Sequence, residues 1–175
     1  MAHQLGAFLQ ELHQLPARDL IPVDLPISDT REEWLNVYTR IQEKLFPLMR
    51  PDAHEQVRAL FETYLDTPSI HRFTPVLRHG DFGGGNIIFD PEMQSIAGVI
   101  DFGFTSLGDP AVDAVGLQFF GEDFFKASCE AYPELTTYVK RTEFYRGSAF
   151  ALLDALFGIE HGDDEALEDG LSSYV

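Results

Sequence analysis

A β-rich stretch that carries two polar loops constrains the fold of this 175-residue chain more than any other part of its sequence. Residues 76–78, 87–89 and 96–100 are short runs of mostly branched apolar side chains, a pattern that predicts strands. A glycine-rich loop separates the first two runs, and a turn signal at residues 90–92 separates the last two. We therefore predict that residues 75–101 form a small set of strands presenting loops.

Helical patterns flank this stretch on both sides. Apolar residues recur at helical spacing within residues 2–14, and a long helix is expected at about 135–158. Thr30 and Glu33 have the spacing of a capping box, and Pro51 suits the first turn of another helix. An extended connection between the first two helices is predicted by three prolines: Pro16, Pro22 and Pro26. The predicted fold class is α+β, mostly helical with a small β element, in a single domain over residues 1–175.

The charge balance narrows the range of partners. Twelve Lys and Arg against 29 Asp and Glu give a net charge of −17, which disfavours binding to nucleic acid or anionic membranes. Such a surface attracts cations, or alternatively only keeps the protein soluble. The single cysteine, Cys129, excludes an internal disulfide and suits a reducing compartment. No stretch approaches the apolar length of a membrane span, and the N-terminus lacks a signal-peptide pattern, so we expect a cytoplasmic protein.

The two loops carry residues with the spacing that phosphoryl transfer requires. A His, an Asp two residues later and an Asn five residues after that Asp precede a D-F-G sequence, the order of a kinase catalytic loop and its metal-binding Asp. Asp81 suits a catalytic base, whereas Asn86 and Asp101 offer the oxygen ligands that Mg²⁺ prefers. His79, Gly80 and Gly103 are predicted to organise the loops. H-G-D or D-F-G alone would be a weak signal; their combination is specific.

Residues 77–116 resemble the aminoglycoside phosphotransferase family, through H-G-D-x-x-x-x-N, G-V-I-D-F-G and G-D-P-A-V-D. That family has a protein-kinase-like fold and also includes choline, homoserine and macrolide kinases. The resemblance implies that Asp81 is the catalytic Asp. It also implies that Asn86 and Asp101 hold Mg²⁺ with the phosphates of ATP or GTP. Asp109 and Asp113 would be mainly structural; alternatively, Asp113 caps the start of a helix.

A second half of such a site is expected to lie outside this sequence. Upstream of His79 there is no glycine-rich phosphate loop, and the upstream lysine, Lys44, falls on a predicted helix. By resemblance, the chain contains only the C-terminal lobe, and the N-terminal nucleotide-binding lobe is absent. A truncated gene, an expressed fragment and a separately encoded lobe all fit. We expect weak or no activity from this chain alone, and either self-association or contact with a partner lobe.

The acceptor is expected to be a cationic small molecule, with an aminoglycoside as the leading candidate. Asp154 and Glu160 are candidate acceptor-binding residues, because they lie among apolar residues predicted to face inward. The acidic residues after them are alternatively a solvated surface. Choline would require an aromatic cage. The candidates for such a cage are three residues that the pattern more simply assigns to the core: Tyr145, Phe150 and Phe157. The alternative hypothesis belongs to a different class of function: the chain is a non-catalytic remnant or an acceptor-binding module.

Overall fold

The computed structural model describes residues 1–16 and 25–175, so Pro22 of the predicted connection lies outside the described residues. The helices in chain order are α1 (Ala2–Gln14), α2 (Arg31–Lys44), α3 (Pro51–Leu65), α4 (Ala111–Gln118), α5 (Glu122–Ala131), α6 (Val139–Phe144), α7 (Phe150–His161) and α8 (Asp164–Leu171). The strands are β1 (Val76–Arg78), β2 (Ile87–Asp90), β3 (Ser95–Val99) and β4 (Ser106–Gly108). The predicted α+β, mostly helical fold with a small β element is confirmed.

The chain divides into two compact units. The first comprises Met1–Ser28 and Phe73–Thr142, and the second comprises Asp29–Arg72 and Glu143–Val175. The predicted assignment of residues 1–175 to a single domain stays a prediction. In the part of the chain that the structure describes, no helix has the length and apolar character needed to cross a membrane.

The core of the first unit forms where α1 packs against α5, the β element and α4. Leu5, Leu9 and Leu12 recur at the helical interval and are almost fully buried, so one stripe of α1 faces inward. The residues that pack with this stripe in one apolar cluster are Leu77, Phe82, Leu107, Ala114, Leu117, Tyr132 and Leu135.

The strands form two antiparallel pairs in the first unit. β1 pairs with β4, with Leu77 opposite Leu107. β2 pairs with β3, with Ile87 opposite Val99, and the register shifts between Ile88 and Phe89. Because both pairs end at the polar loops, the hairpin β2–β3 and the strand β1 position those loops against each other.

In the second unit, the predicted start of α2 is confirmed. The Glu33 N–H donates to the Thr30 hydroxyl at 3.1 Å, and the Glu33 carboxylate accepts from the Asp29 N–H at 2.6 Å. Pro51 begins α3, also as predicted. The buried faces of these helices meet in an aromatic cluster of Trp34, Tyr38, Phe61, Tyr64, Phe144 and Tyr145.

The long helix predicted at about 135–158 is present but begins later, because the chain is continuously helical from Val139 to His161 with a π-helical turn inside. A 3₁₀ turn spans Pro133–Tyr138, and a π-helical turn at Tyr145–Ala149 separates α6 from α7. Farther along, α7 and α8 approach closely at Gly158, which has no side chain. A Cβ on Gly158 would lie 2.5 Å from the Leu167 nitrogen. Such contacts between helices depend on the partner surface, which a periodic pattern in one helix does not specify.

Candidate active site

The loop between β1 and β2 carries His79, Asp81 and Asn86. Its first turn requires glycine, because Gly80 has a φ of 89° and a Cβ there would collide with the Phe104 carbonyl. The last residues before β2 form a single 3₁₀ turn. The loop backbone is therefore tightly held, whereas the Asp81 side chain is exposed.

His79 is fully buried and connects the two polar loops. Its Nδ1 accepts the Asp81 N–H at 3.3 Å, which places the ring proton on Nε2. That Nε2 donates to the Ile100 carbonyl at 2.9 Å. Because Ile100 directly precedes Asp101, one imidazole ring joins the backbone beside the proposed base to the backbone beside the proposed metal ligand.

The Asn86 amide group contacts Asp81 directly. Its Nδ2 donates to the Asp81 carbonyl at 2.9 Å and to Asp81 Oδ2 at 2.8 Å. The Asn86 carbonyl accepts the Ile100 N–H at 2.9 Å, so Asn86 and Asp101 lie at the same end of the hairpin. Because the amide nitrogen makes both side-chain contacts, Oδ1 is the atom of Asn86 that can take a cation.

Asp101 has an unusual backbone conformation. Its φ is 61°, a region that L-residues other than Asn and Asp rarely adopt. The Asp101 Oδ1 accepts the Gly103 N–H at 3.2 Å, and a Cβ on Gly103 would lie only 3.1 Å from that oxygen. A local turn thus holds the exposed carboxylate in place, and strain of this kind is typical of functional sites.

The residues present fit a magnesium ion that also binds phosphate. Mg²⁺ is usually held by one or two protein oxygen ligands together with substrate phosphates and water. Asn86 and Asp101 supply an amide oxygen and a carboxylate at one end of the hairpin. Within residues 1–16 and 25–175, no group of three or more His, Cys, Asp and Glu side chains is arranged to hold a metal ion. A pair of ligands suits an ion that a nucleotide completes.

Asp113 fixes the start of the catalytic loop. It is fully buried, and its two oxygens accept the His79 N–H at 2.8 Å and the Gly80 N–H at 2.9 Å. His13 Nε2 lies 3.0 Å from Asp113 Oδ2. The alternative that Asp113 caps a helix start is wrong, since its carboxylate bonds to the loop and α4 begins two residues earlier.

Asp109 has the capping role instead. Its Oδ1 accepts the Ala111 N–H at 2.9 Å at the start of α4, and its Oδ2 lies 2.7 Å from Arg141 Nε. The Arg141 guanidinium also lies over the rings of Phe73 and Tyr138. Asp109 and Asp113, which belong to one motif, therefore have different structural roles: Asp109 caps a helix and Asp113 holds the catalytic loop.

Sequence reasoning assigned no role to His13 and Gly116. His13 lies four residues after Leu9 on the buried stripe of α1, a position that could have marked it as a buried polar group. Its Nδ1 lies 3.2 Å from the Tyr132 hydroxyl, and burial raises the pKa of Tyr132 above its usual range. Gly116 lets α4 touch the backbone of Phe82, because a Cβ there would collide with the Phe82 carbonyl.

The outer face of the hairpin is apolar next to the proposed metal ligands. Ile88 is on β2, two residues after Asn86, and the register places Gly98 opposite Ile88. Ile100 bonds across from Asn86, so these residues share one face while Ile87 and Val99 share the other. Ile88 and Ile100 are 47% and 46% exposed, which leaves an open apolar surface beside Asp101.

Asp154 and Glu160, the candidate acceptor-binding residues, lie on α7 in the second unit. Asp154 is exposed, and its role in acceptor binding stays a prediction. Glu160 is half-buried between two cations: Arg40 Nε donates at 3.0 Å and Lys44 Nζ at 2.6 Å. These hydrogen bonds, that of Arg40 foremost, lower the pKa of Glu160 to about 2. Glu160 is therefore engaged in a structural ion-pair network.

The three aromatic residues considered for a cage differ in exposure. Tyr145 is fully buried, and its ring stacks on Phe150 at 5.5 Å. Phe157 is 51% exposed and stacks on His161 at 4.2 Å, so its assignment to the core is wrong.

The fold and the two loops define a class of proteins that transfer phosphoryl groups, and comparison with known families supports this. The sequence model of the phosphotransferase enzyme family matches residues 1–144. The chain belongs to this family, which confirms the resemblance predicted from residues 77–116.

Known relatives are longer than this chain. Viomycin phosphotransferase from Streptomyces vinaceus is 29% identical over 180 residues, covering 99% of this chain and 60% of the relative. The GDP complex of an aminoglycoside 2′-phosphotransferase-IIIa mutant aligns with a TM-score of 0.87 and 26% identity, covering 98% of this chain and 58% of that one. Macrolide 2′-phosphotransferase type I shares the fold, with a TM-score of 0.79, 20% identity and coverage of 99% and 58%. The chain spans about 60% of the length of the curated relative.

Proposed function

We propose that this chain carries the base and the metal ligands of a small-molecule phosphotransferase. The reaction moves the γ-phosphoryl group of ATP or GTP to a hydroxyl of an amine-bearing acceptor, with an aminoglycoside as the leading candidate. The observation that carries this proposal is the direct contact of Asn86 with Asp81 at the end of the hairpin from which Asp101 emerges. The relative solved with GDP supports a nucleotide as the donor.

Asp81 is the proposed general base. Asn86 holds its Oδ2, so Oδ1 is the atom that accepts the proton of the acceptor hydroxyl. As that proton moves, the hydroxyl oxygen bonds to the γ-phosphorus, and the bond from this phosphorus to the bridging oxygen breaks. The products are a phosphorylated acceptor and a nucleoside diphosphate. A positioned base of this kind contributes roughly 10²–10⁴ in rate.

Asn86 and Asp101 are the proposed Mg²⁺ ligands. When bound, the ion would neutralise the negative charge that develops on the phosphate during transfer. Ile88 and Ile100 adjoin these ligands with exposed apolar surface, which suits the flat apolar face of a nucleotide base. His79 and Asp113 keep the loops in register through backbone contacts, and they are positioning residues.

The acceptor assignment follows from charge. Residues 79–125 contain no Lys or Arg, although they include the proposed base and metal ligands, and the whole chain has a net charge of −17. An acidic surface favours an acceptor that carries ammonium groups. Asp154 is exposed and remains a candidate for binding such a group, whereas Glu160 would have to leave Arg40 and Lys44 first.

Paramagnetic NMR with Mn²⁺ in place of Mg²⁺ tests the metal site without relying on turnover. We expect Mn²⁺ with ATP to broaden the amide signals of Asn86 and Asp101 in the labelled 175-residue protein. Asp101→Asn should raise the Mn²⁺ concentration needed by at least about tenfold, because a carboxylate ligand is lost. The matched control Asp169→Asn changes one exposed acid on α8 and should leave the broadening unchanged.

Equal broadening in the protein and in Asp101→Asn would contradict the proposed metal site. The alternative function is an acceptor-binding module without catalysis. Calorimetric titration separates the two functions. Binding of kanamycin without binding of Mg·ATP would identify the acceptor-binding module.

A further inference from the structure

An exposed aromatic ring from the connection after α4 lies against the loop that carries the proposed base. Phe120 follows the end of α4 and is 43% exposed. A Cβ on Gly84 would lie 3.6 Å from Cζ and 3.8 Å from Cε1 of this ring, so the ring is in van der Waals reach of the loop. Gly84 begins the 3₁₀ turn that ends at Asn86, which in turn holds Asp81.

The ring is supported on one side and open on the other. Phe124 supports it from α5, with 4.8 Å between the ring centroids. On the loop itself, a Cβ on Gly83 or Gly85 would meet no atom within 4 Å. The exposed face of the Phe120 ring and the open backbone of this loop thus form one accessible surface, the Phe120 surface, on the loop that carries Asp81.

The ring and the charges near the Phe120 surface indicate the chemistry of the molecule that binds there. The face of an aromatic ring attracts ammonium groups and the polarised C–H groups next to them. The nearest cation along the chain is Lys126, which pairs with Glu122 at 2.7 Å, and the exposed residue Asp123 follows Phe120 by three positions in the sequence. An amino sugar has both features that match: a ring face of C–H groups and an ammonium substituent.

We propose that Phe120 is a stacking platform for the amino-sugar ring of the acceptor and thereby a specificity-determining residue. The proposal rests on the proposed function and names how the same site recognises its acceptor. Phe120 adjoins Gly84, which begins the turn that ends at Asn86, and Asn86 contacts Asp81, so an acceptor stacked on the ring is held at the loop that carries the base. The platform selects acceptors by ring face and charge.

Calorimetric titration of kanamycin into the 175-residue protein tests this role. Phe120→Ala should weaken binding by about tenfold, the scale of one cation–π contact. Phe120→Tyr keeps an aromatic face and should bind within about twofold of the parent protein. The matched control is Phe89→Ala, since Phe89 on β2 is 40% exposed, close to the value for Phe120.

Three outcomes of the titration and one of sedimentation decide between these possibilities. Weakened binding in Phe120→Ala, restored in Phe120→Tyr and unaffected in Phe89→Ala, supports the platform. Equal binding by the parent protein and Phe120→Ala overturns the platform and leaves the proposed function standing, whereas no binding by the parent protein overturns the amine-bearing acceptor itself. Sedimentation without kanamycin completes the test: if Phe120→Ala turns a dimer into a monomer, the ring binds a second copy and the platform is overturned.

Discussion

At the residue scale, the buried carboxylate of Asp113 fixes the backbone at the start of the catalytic loop. Two backbone N–H groups, those of His79 and Gly80, donate to its oxygens, and His13 lies at hydrogen-bond distance from the same carboxylate. A buried charge is costly unless hydrogen bonds satisfy it, so carboxylate and loop stabilise each other. The position of Asp81 thus depends on a residue 32 positions away in sequence that never touches substrate in the proposed reaction.

Replacing Asp113 by Asn should loosen this loop. The amide has nearly the same size, but its NH₂ group faces an N–H donor, and one backbone N–H is left unpaired. We expect the free energy of unfolding to fall by about 3 kcal/mol, as for other broken buried pairs. Urea denaturation measures the loss, and faster hydrogen exchange at the His79 and Gly80 amides would locate it.

Asp123→Asn is the matched control, because it removes the same charge from an exposed residue. It should change stability by no more than about 0.5 kcal/mol. Unchanged exchange at His79 in Asp113→Asn would contradict the anchoring role of the carboxylate.

At the element scale, local signals predicted the structure well. The Thr30–Glu33 cap and the Pro51 start depend on contacts within a few residues, so sequence spacing alone identifies them. Asn86 and Asp101 could also be placed together, because each adjoins a run that reads as a strand. The fold class and the arrangement of the two loops were therefore accessible from sequence.

Other features depend on partners far away in sequence. Gly116 is needed only because α4 touches Phe82, and His13 only because α1 lies against Asp113. The side on which Phe157 lies depends on how α7 packs, so periodicity alone misassigned it to the core. Tertiary contacts of this kind override local propensity, which is why these residues were missed.

The ion pairs between α2 and α7 should make stability depend on acid pH. The pKa of Glu160 is lowered from 4.5 to about 2 by Arg40 and Lys44, so this contribution is fully present above pH 4.5 and is lost as the pH falls toward 2. Glu160→Gln should therefore melt at a lower temperature than the parent protein at neutral pH, with the difference shrinking as the pH falls below about 4.5. The effect is modest, because Arg40 and Lys44 are 37% and 42% exposed.

Thermal melts followed by circular dichroism at a series of pH values measure this difference. Glu165→Gln on α8 removes an exposed acid and serves as the control. A constant difference between parent protein and Glu160→Gln from neutral pH to about pH 3 would show that the ion pairs contribute nothing to acid sensitivity.

At the scale of the whole molecule, two opposing properties govern how copies of the chain meet. The net charge of −17 makes copies repel one another. Exposed apolar side chains near the two polar loops, among them Phe102 at 46% and Phe104 at 69%, favour association. Salt screens the repulsion over a Debye length that falls from about 30 Å at 0.01 M to about 3 Å at 1 M, but leaves apolar attraction intact.

We therefore expect the protein to be monomeric at low salt and to self-associate reversibly as salt rises to about 0.5 M. Sedimentation velocity at several protein concentrations measures this change. Phe104→Ser should lower the association constant, because it removes exposed apolar surface beside the catalytic loop, where the Phe104 carbonyl adjoins Gly80. Phe157→Ser on α7 removes an aromatic ring that is 51% exposed and should leave association unchanged if the surface near the loops is the contact. Monomers at every salt concentration would show that these exposed rings do not drive self-association.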